Sequence, residues 1–264
     1  MAEKIKYHHW GILRIRIFLR SFLLQSLMSY TLMQGLGFGL GMIPIAERLK
    51  LKGEHLKEFL KRHLNFFNSH PYFSVYAIGA ISRMEYEGKA ADEIEALKNM
   101  LMGPLGLFGD QVFWSRFKPL VLCMAITGLL FLPWPLKLGS RIITAGIILS
   151  AVIVYNIVHL AVKWRGSAWG LKCGVEVLRV ITHSKMLKYR LHLSLAAAFT
   201  AGLFAVKAFE LSEQSLIFMA AFAAGFLALR LKAPLWVTLL FVFAVSIALT
   251  LFLKITYYGS KFAS

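Results

Sequence analysis

Five stretches of this chain, residues 119–136, 142–162, 191–206, 214–229 and 233–253, run without a single Asp, Glu, Lys or Arg. About 20 apolar residues of helix cross the ~30 Å hydrocarbon core of a bilayer, so each run is close to a full span. The shorter runs are flanked by Lys207, Arg230 and Lys232. Their aliphatic stems lengthen a span by carrying the charge out to the interface. A helix on a soluble core keeps a polar face, and these runs have none. The pattern sets the class: an all-α polytopic membrane protein with about five C-terminal transmembrane helices.

The composition agrees. The chain carries a formal net charge of +17, yet 58% of its residues are hydrophobic and only 16% are charged, so its basic residues are gathered between apolar segments. That distribution speaks against a nucleic-acid-binding surface. The two cysteines, Cys123 and Cys173, build neither a disulfide framework nor a four-cysteine zinc site. The histidines at 8, 9, 55, 63, 70, 159, 183 and 192 show no compact metal-ligand spacing. No metal and no cofactor are expected. His63 reads as a helix-end hydrogen-bonding group, and His159, inside an apolar run, as a buried and paired imidazole.

Basic residues also fix orientation. The connection 163–190 carries Lys163, Arg165, Lys172, Arg179, Lys185, Lys188 and Arg190 against the single acid Glu176, which places it in the cytoplasm. Glu210 and Glu213 then lie outside, Arg230 and Lys232 inside, and the tail from Lys254 outside. Counting backwards puts Arg116 and Lys118 inside; the turn holding Lys137 and Arg141 fits the rule poorly. Residues 1–21 mix Lys4, Lys6, Arg14, Arg16 and Arg20 with Ile, Leu, Phe and Trp. This is a basic amphipathic pattern suited to the cytoplasmic membrane surface and its lipid. It lacks the apolar core and cleavage site of a secretory signal.

Three regions follow from this: the interfacial segment 1–21, a core region 22–118, and a transmembrane region 119–264 with the basic loop 163–190. The core region is broken by glycine and proline. Phe22 to Ala46 is uncharged but contains Gly35, Gly37, Gly39, Gly41 and Pro44. Each glycine weakens a helix by about 1 kcal/mol relative to Ala, which argues against one continuous span. Phe66 to Ser82 is interrupted by Asn68 and Pro71. The segment 99–114, NMLMGPLGLFGDQVFW, holds Gly103, Pro104, Gly106 and Gly109 and is expected to break within the membrane. Such interrupted segments, read as re-entrant hairpins, line cavities and point to a transporter's substrate site. The polar stretches 47–62 and 83–98 read as solvated amphipathic helices.

Asp110 stands out because a carboxylate in an apolar segment needs a cavity or a cation, although it also suits the cap of a helix starting near Val112. Gln34, Asn65, Asn68, Gln111 and Trp114 supply the planar amides and aromatic faces that sugar hydroxyls use; their alternative role is interhelical hydrogen bonding. Gly35, Gly37, Gly103, Gly106 and Gly109 are candidates for close helix approach.

The segments FLRSFLLQ (18–25), MQGLGFGLGMIPIAERL (33–49), KRHLNFFNSHPYF (61–73), LMGPLGLFGDQVFW (101–114) and APLW (233–236) together resemble a known family. In this order and spacing the chain, from about residue 18 to residue 253, is similar to the enzyme IID membrane subunit of the mannose/fructose/sorbose-type sugar phosphotransferase system. The resemblance implies a bacterial inner-membrane subunit that pairs with an enzyme IIC subunit to form a hexose-type sugar pathway, assembled as a trimer of IIC–IID heterodimers. Phosphoryl transfer is then the work of soluble IIA and IIB partners, and this chain carries no catalytic residue. The family pattern has Asn-Tyr-Glu-Arg before Met-Gln, whereas this chain reads Ser29, Tyr30, Thr31 and Leu32 before Met33 and Gln34. It also has proline after the aspartate, where this chain has Gln111. These departures keep open a non-transporting scaffold or sensor of the same family. The basic cytoplasmic face alone favours a third reading, a membrane enzyme acting on anionic or lipid substrates.

Overall fold

The computed structural model describes residues 10–132, 138–184 and 189–211, together with Ala244. The expected spans at 214–229 and 233–253, the APLW segment, Glu213, Lys137, Lys185, Lys188 and both chain ends lie outside these residues. Among the described residues every regular element is helical. In chain order they are α1 (Gly11–Arg20), α2 (Leu23–Ser26), α3 (Gly35–Arg48), α4 (Gly53–His63), α5 (Ser74–Tyr86) and α6 (Ala91–Gly109). A π-helical segment (Asp110–Phe117) leads into α7 (Lys118–Leu130); then come α8 (Leu138–Cys173), a 3₁₀ turn (Gly174–Glu176), α9 (Val177–Thr182) and α10 (Arg190–Leu211).

The core forms around α5. Its residues from Ser74 to Ser82 are all buried, because small side chains let neighbouring backbones close in on every face. The closest approach is to α8: a Cβ on Gly170 would lie 2.5 Å from the Tyr76 carbonyl oxygen and 2.8 Å from Gly79 Cα. Only glycine permits this spacing. Around the pair pack α1 through Leu13 and Ile17, α3 through Phe38, Met42 and Ile45, and α6 through Ile94, Leu101 and Leu105.

At ~1.5 Å per residue the 36 residues of α8 extend ~54 Å, well beyond one bilayer core. The helix divides accordingly. From Ile142 to Ile157 its large apolar side chains are exposed, whereas Val162, Lys163, Gly166, Ser167, Gly170 and Leu171 are buried against the core. Lys163, expected as the first residue of a cytoplasmic loop, is instead 2% exposed inside the helix. Its ammonium donates to the Ser21 carbonyl at 3.1 Å and lies 4.2 Å from the Phe22 ring. The segment from Lys163 to Thr182 is thus largely helical.

Two helical stretches, Ala91–Leu130 and Leu138–Thr182, are long and apolar enough to cross a membrane. The first corrects the expectation of a break in residues 99–114, which are helical throughout. Proline is disruptive partly because its ring crowds the Cβ of the preceding residue, and here that residue is Gly103. Irregularity is displaced to Asp110–Phe117, where the helix widens into π geometry. The charge-free run 22–46, by contrast, is divided into α2 and α3 by the turn at residues 27–34. The polar stretch 47–62 holds the amphipathic α4, and α10 packs along α7.

Candidate functional site

The turn before α3 and the loop between α4 and α5 are stitched together by backbone. Ser29 and Met33 exchange hydrogen bonds at 3.0 and 2.9 Å, the Gln34 N–H donates to the Phe67 carbonyl at 2.8 Å, and the Phe67 N–H to Leu32 at 3.3 Å. Met33 takes a φ of 49° to make this reversal, a left-handed conformation uncommon outside glycine. Gln34 is 1% exposed. Its Nε2 donates to the Ser69 carbonyl at 2.5 Å and its Oε1 accepts from Ser74 Oγ at 2.9 Å. The amide is therefore occupied in holding the loop. Gly35 lies directly against the Asn65 carbonyl, and a Cβ on Gly37 would come 2.6 Å from Leu24 Cα.

On its other side the loop rests on α6 and the π-helical segment. The Asn68 N–H points at Met102 Sδ, 3.3 Å away, and the His70 ring packs onto the bare backbone of Gly109. His70 stacks on Phe113 with ring centroids 5.5 Å apart, and Trp114 meets its edge at 6.1 Å. Gly106 is in ordinary contact with Ser69, and a side chain at Gly103 would meet only open space. The π-helical segment turns Val112, Phe113 and Phe117 inward and leaves Asp110 and Trp114 exposed. Such widenings are frequent at functional sites.

Asp110 does not cap a new helix: its backbone is helical and the chain continues through it. Its carboxylate makes no hydrogen bond or ion pair among the described residues. The structure thus draws Asn65, Asn68, Gly106, Gly109, Asp110 and Trp114 to one loop and the helix beneath it. Asn65 and Asn68 are exposed. Gln34 serves the same loop from inside. Gln111 stands apart, half-buried, its carbonyl accepting from Arg116.

The start of the loop is fixed by charges that no local motif announces. Glu85 Oε1 accepts from Arg62 Nε and Nη2 at 3.0 and 2.8 Å and from His63 Nε2 at 2.7 Å. Burial holds the His63 imidazole below its ordinary pKa, although the bond to Glu85 pulls the other way. Burial alone would raise the Glu85 carboxyl, but its bonds from His63 and Arg62 bring it below the usual carboxylate range. The pair is accordingly neutral imidazole and ionised carboxylate, with Nε2–H donating. This tautomer leaves Nδ1, which has no partner among the described residues, as an unfilled acceptor and not an unfilled donor. His63 ends α4, as expected of a helix-end group, but its ring bonds a side chain of α5.

Lys98, 2% exposed, completes the arrangement by directing its ammonium at the carbonyls of Arg62, His63 and Asn65, 3.4 to 3.5 Å away. A cation there answers the negative end of the α4 dipole. Arg62, Glu85 and Lys98 escape sequence reading because they lie on three helices. The only signal was their position at the ends of the polar stretches. His159, expected to be buried and paired, is half-buried and stacks on Tyr72 with ring centroids 4.6 Å apart.

With this geometry in place the relatives are informative. Residues 13–250 match the model of the PTS system mannose/fructose/sorbose family IID component. The chain is 31% identical to the mannose-specific EIID component of the PTS system of Escherichia coli K12, over 62% of this chain and 56% of that protein. It thus spans little more than half the length of that relative. It is also 31% identical to the sorbose-specific EIID component of Klebsiella pneumoniae, over 73% of this chain and 68% of the relative. Among solved structures, one described as a membrane protein aligns with a TM-score of 0.69 at 22% identity, covering 93% of this chain and 97% of the other. A cryo-EM structure of the mannose transporter ManYZ with microcin E492 aligns with a TM-score of 0.51 at 24% identity, covering 90% and 95%. The fold is shared with both, and the chain belongs to the mannose/fructose/sorbose family of PTS IID components.

Proposed function

We propose that this chain is the IID half of a sugar permease in a bacterial cytoplasmic membrane, pairing with an enzyme IIC subunit to form the pathway for a hexose-type sugar. In this reading soluble IIA and IIB partners carry and transfer the phosphoryl group, and three IIC–IID pairs make the full assembly. The N-terminus lies in the cytoplasm with the basic segment 163–190, and the C-terminus outside. Regions 1–21, 22–118 and 119–264 then correspond to the interfacial, pathway-building and membrane-anchoring parts.

The observation that carries the reading is Asp110. It sits in the middle of the apolar stretch Ala91–Leu130, exposed and without a partner among the described residues. An exposed acid with no counter-charge on an apolar stretch calls for a cavity, a cation or a ligand to answer it. The loop packed on this helix exposes Asn65 and Asn68, and the π-helical segment exposes Trp114. Amides, a carboxylate and an indole are the groups a sugar-binding wall uses. Gln34 enters as a positioning residue, since both ends of its amide are engaged inside the protein.

Asp110→Asn tests this in cells that also produce the IIC, IIA and IIB subunits. The expected result is sugar uptake reduced at least tenfold with the IIC–IID complex recovered in normal yield. Undiminished uptake would remove Asp110 from the pathway. Unaltered uptake in cells lacking the chain altogether would favour the scaffold or sensor reading.

A further inference from the structure

A groove runs along the seam of α7 and α8 and borders the loop site at Tyr72 and Trp114. Its upper part encloses about 340 Å³ beside Lys118, Tyr155 and Asn156, and a further hollow of about 180 Å³ continues it past Ile147. Val121 and Ala151 line both. The groove is polar and cationic at one end and largely apolar at the other, where the Ser150 hydroxyl is taken up by the Ile147 carbonyl. This is the polarity of an amphiphile.

Its position relative to the membrane follows from α8. Exposed large apolar side chains run from Leu138 to Leu160, a rise of ~33 Å that matches the hydrocarbon core. Beyond Leu160 comes the exposed Trp164, with Arg14 lying 3.9 Å over its ring, the residue types of a membrane interface. Asn156 is ~6 Å below that boundary. Lys118 extends from the adjoining end of α7, its ammonium 4.3 Å over the Trp114 ring. Among the described residues it meets no carboxylate and donates no hydrogen bond. A flexible stem of this kind reaches up to the headgroup level.

We propose that this groove is a binding site for an anionic phospholipid: the phosphate on Lys118 with Asn156 beside it, and one acyl chain laid past Val121 and Ala151 towards Ile147. Charge complementarity selects the occupant. A neutral helix from a partner would strand the ammonium without a counter-charge. A sugar would leave the apolar end unfilled.

The test uses the full chain purified in mild detergent with any partner subunit that accompanies it. Phosphatidylglycerol or phosphatidylcholine is added, and native mass spectrometry counts retained lipid. Phosphatidylglycerol should be retained about tenfold over phosphatidylcholine. Lys118→Gln should abolish the preference, Ala151→Phe should lower retention of both lipids, and millimolar inorganic phosphate should not displace the lipid. Lys118 supports no internal hydrogen bond, so its replacement reads the site even where Ala151→Phe fails to fold. Equal retention of the two lipids, or a preference that survives in Lys118→Gln, would overturn the proposal. So would a Leu122→Cys variant that cross-links to another membrane subunit and not to a photoactivatable phosphatidylglycerol.

Discussion

Gly170→Ala places one methyl group into the tightest glycine contact between two helices among the described residues. The new Cβ would sit 2.5 Å from the Tyr76 carbonyl oxygen, 2.8 Å from Gly79 Cα and 2.9 Å from Ala80 N, all backbone atoms that no rotamer change can move. Relief to ordinary van der Waals distance needs α5 and α8 to part by roughly 1 Å, a gap that forfeits a quarter to a half of the dispersion energy of the atoms that face it. Tyr76, Ala80, Val162 and Leu171 are buried around the contact and lose packing together. Overpacking of this kind costs about 1–3 kcal/mol, and backbone neighbours put the variant in the upper part of that range. For a chain of this size that corresponds to a fall in Tm of about 5–10 °C, read by thermal unfolding of the purified protein in detergent. Gly146→Ala, in the exposed part of α8, is the matched control. It adds the same methyl where nothing lies within 4 Å, and it should melt at or slightly above the parent temperature. Equal melting of Gly170→Ala and the parent would show that α5 and α8 are not in backbone contact.

Three other outcomes are expected. Gln34→Leu removes both hydrogen bonds and strands the Ser69 carbonyl, so it should cost about 2–4 kcal/mol and expose the loop at residues 64–73 to proteolysis; an unchanged digestion pattern would place Gln34 elsewhere. His63 has a folded pKa below its ordinary 6.5, so the unfolded chain takes up a proton that the folded chain refuses, and stability should fall as pH drops below that value. Glu85, also lowered, extends the loss into the carboxylate range; His63→Gln, which keeps a donor at the Nε2 position, should flatten the melting profile between about pH 7 and 5. Lys98→Met leaves the last carbonyls of α4 without their cation, and a loss of about 1–3 kcal/mol should appear in the same melting assay; a parental Tm would contradict the capping role.

Composition and charge-free runs were enough to read an all-α membrane protein, because apolar helices declare themselves locally. Residues 119–130 of the first run fall on α7, the run 142–162 lies within α8, and 191–206 within α10. Where helices end was less legible. Lys163 looks like the end of a span because a lone cation is costly in an apolar setting, yet the Ser21 carbonyl, far away in sequence, accepts its hydrogen bond. Pro104 looks like a break until the tolerance supplied by Gly103 is counted. The site shows the same division. The RHLNFFN and LMGPLGLFGD segments identified the loop and the helix beneath it. Pairings such as Arg62 with Glu85, or Gln34 with Ser69 and Ser74, depend on three-dimensional proximity that no periodicity encodes.

The central claim, that this chain works as half of a two-subunit sugar pathway, is tested most directly by reconstitution. Proteoliposomes containing an enzyme IIC subunit from the same organism, supplied with phosphorylated IIA and IIB, are assayed for accumulation of sugar phosphate. The account predicts that IIC alone is inactive, that adding the parent chain restores accumulation, and that the Asp110→Asn chain assembles but restores little. Full accumulation by IIC alone, or failure of the two chains to associate, would contradict it.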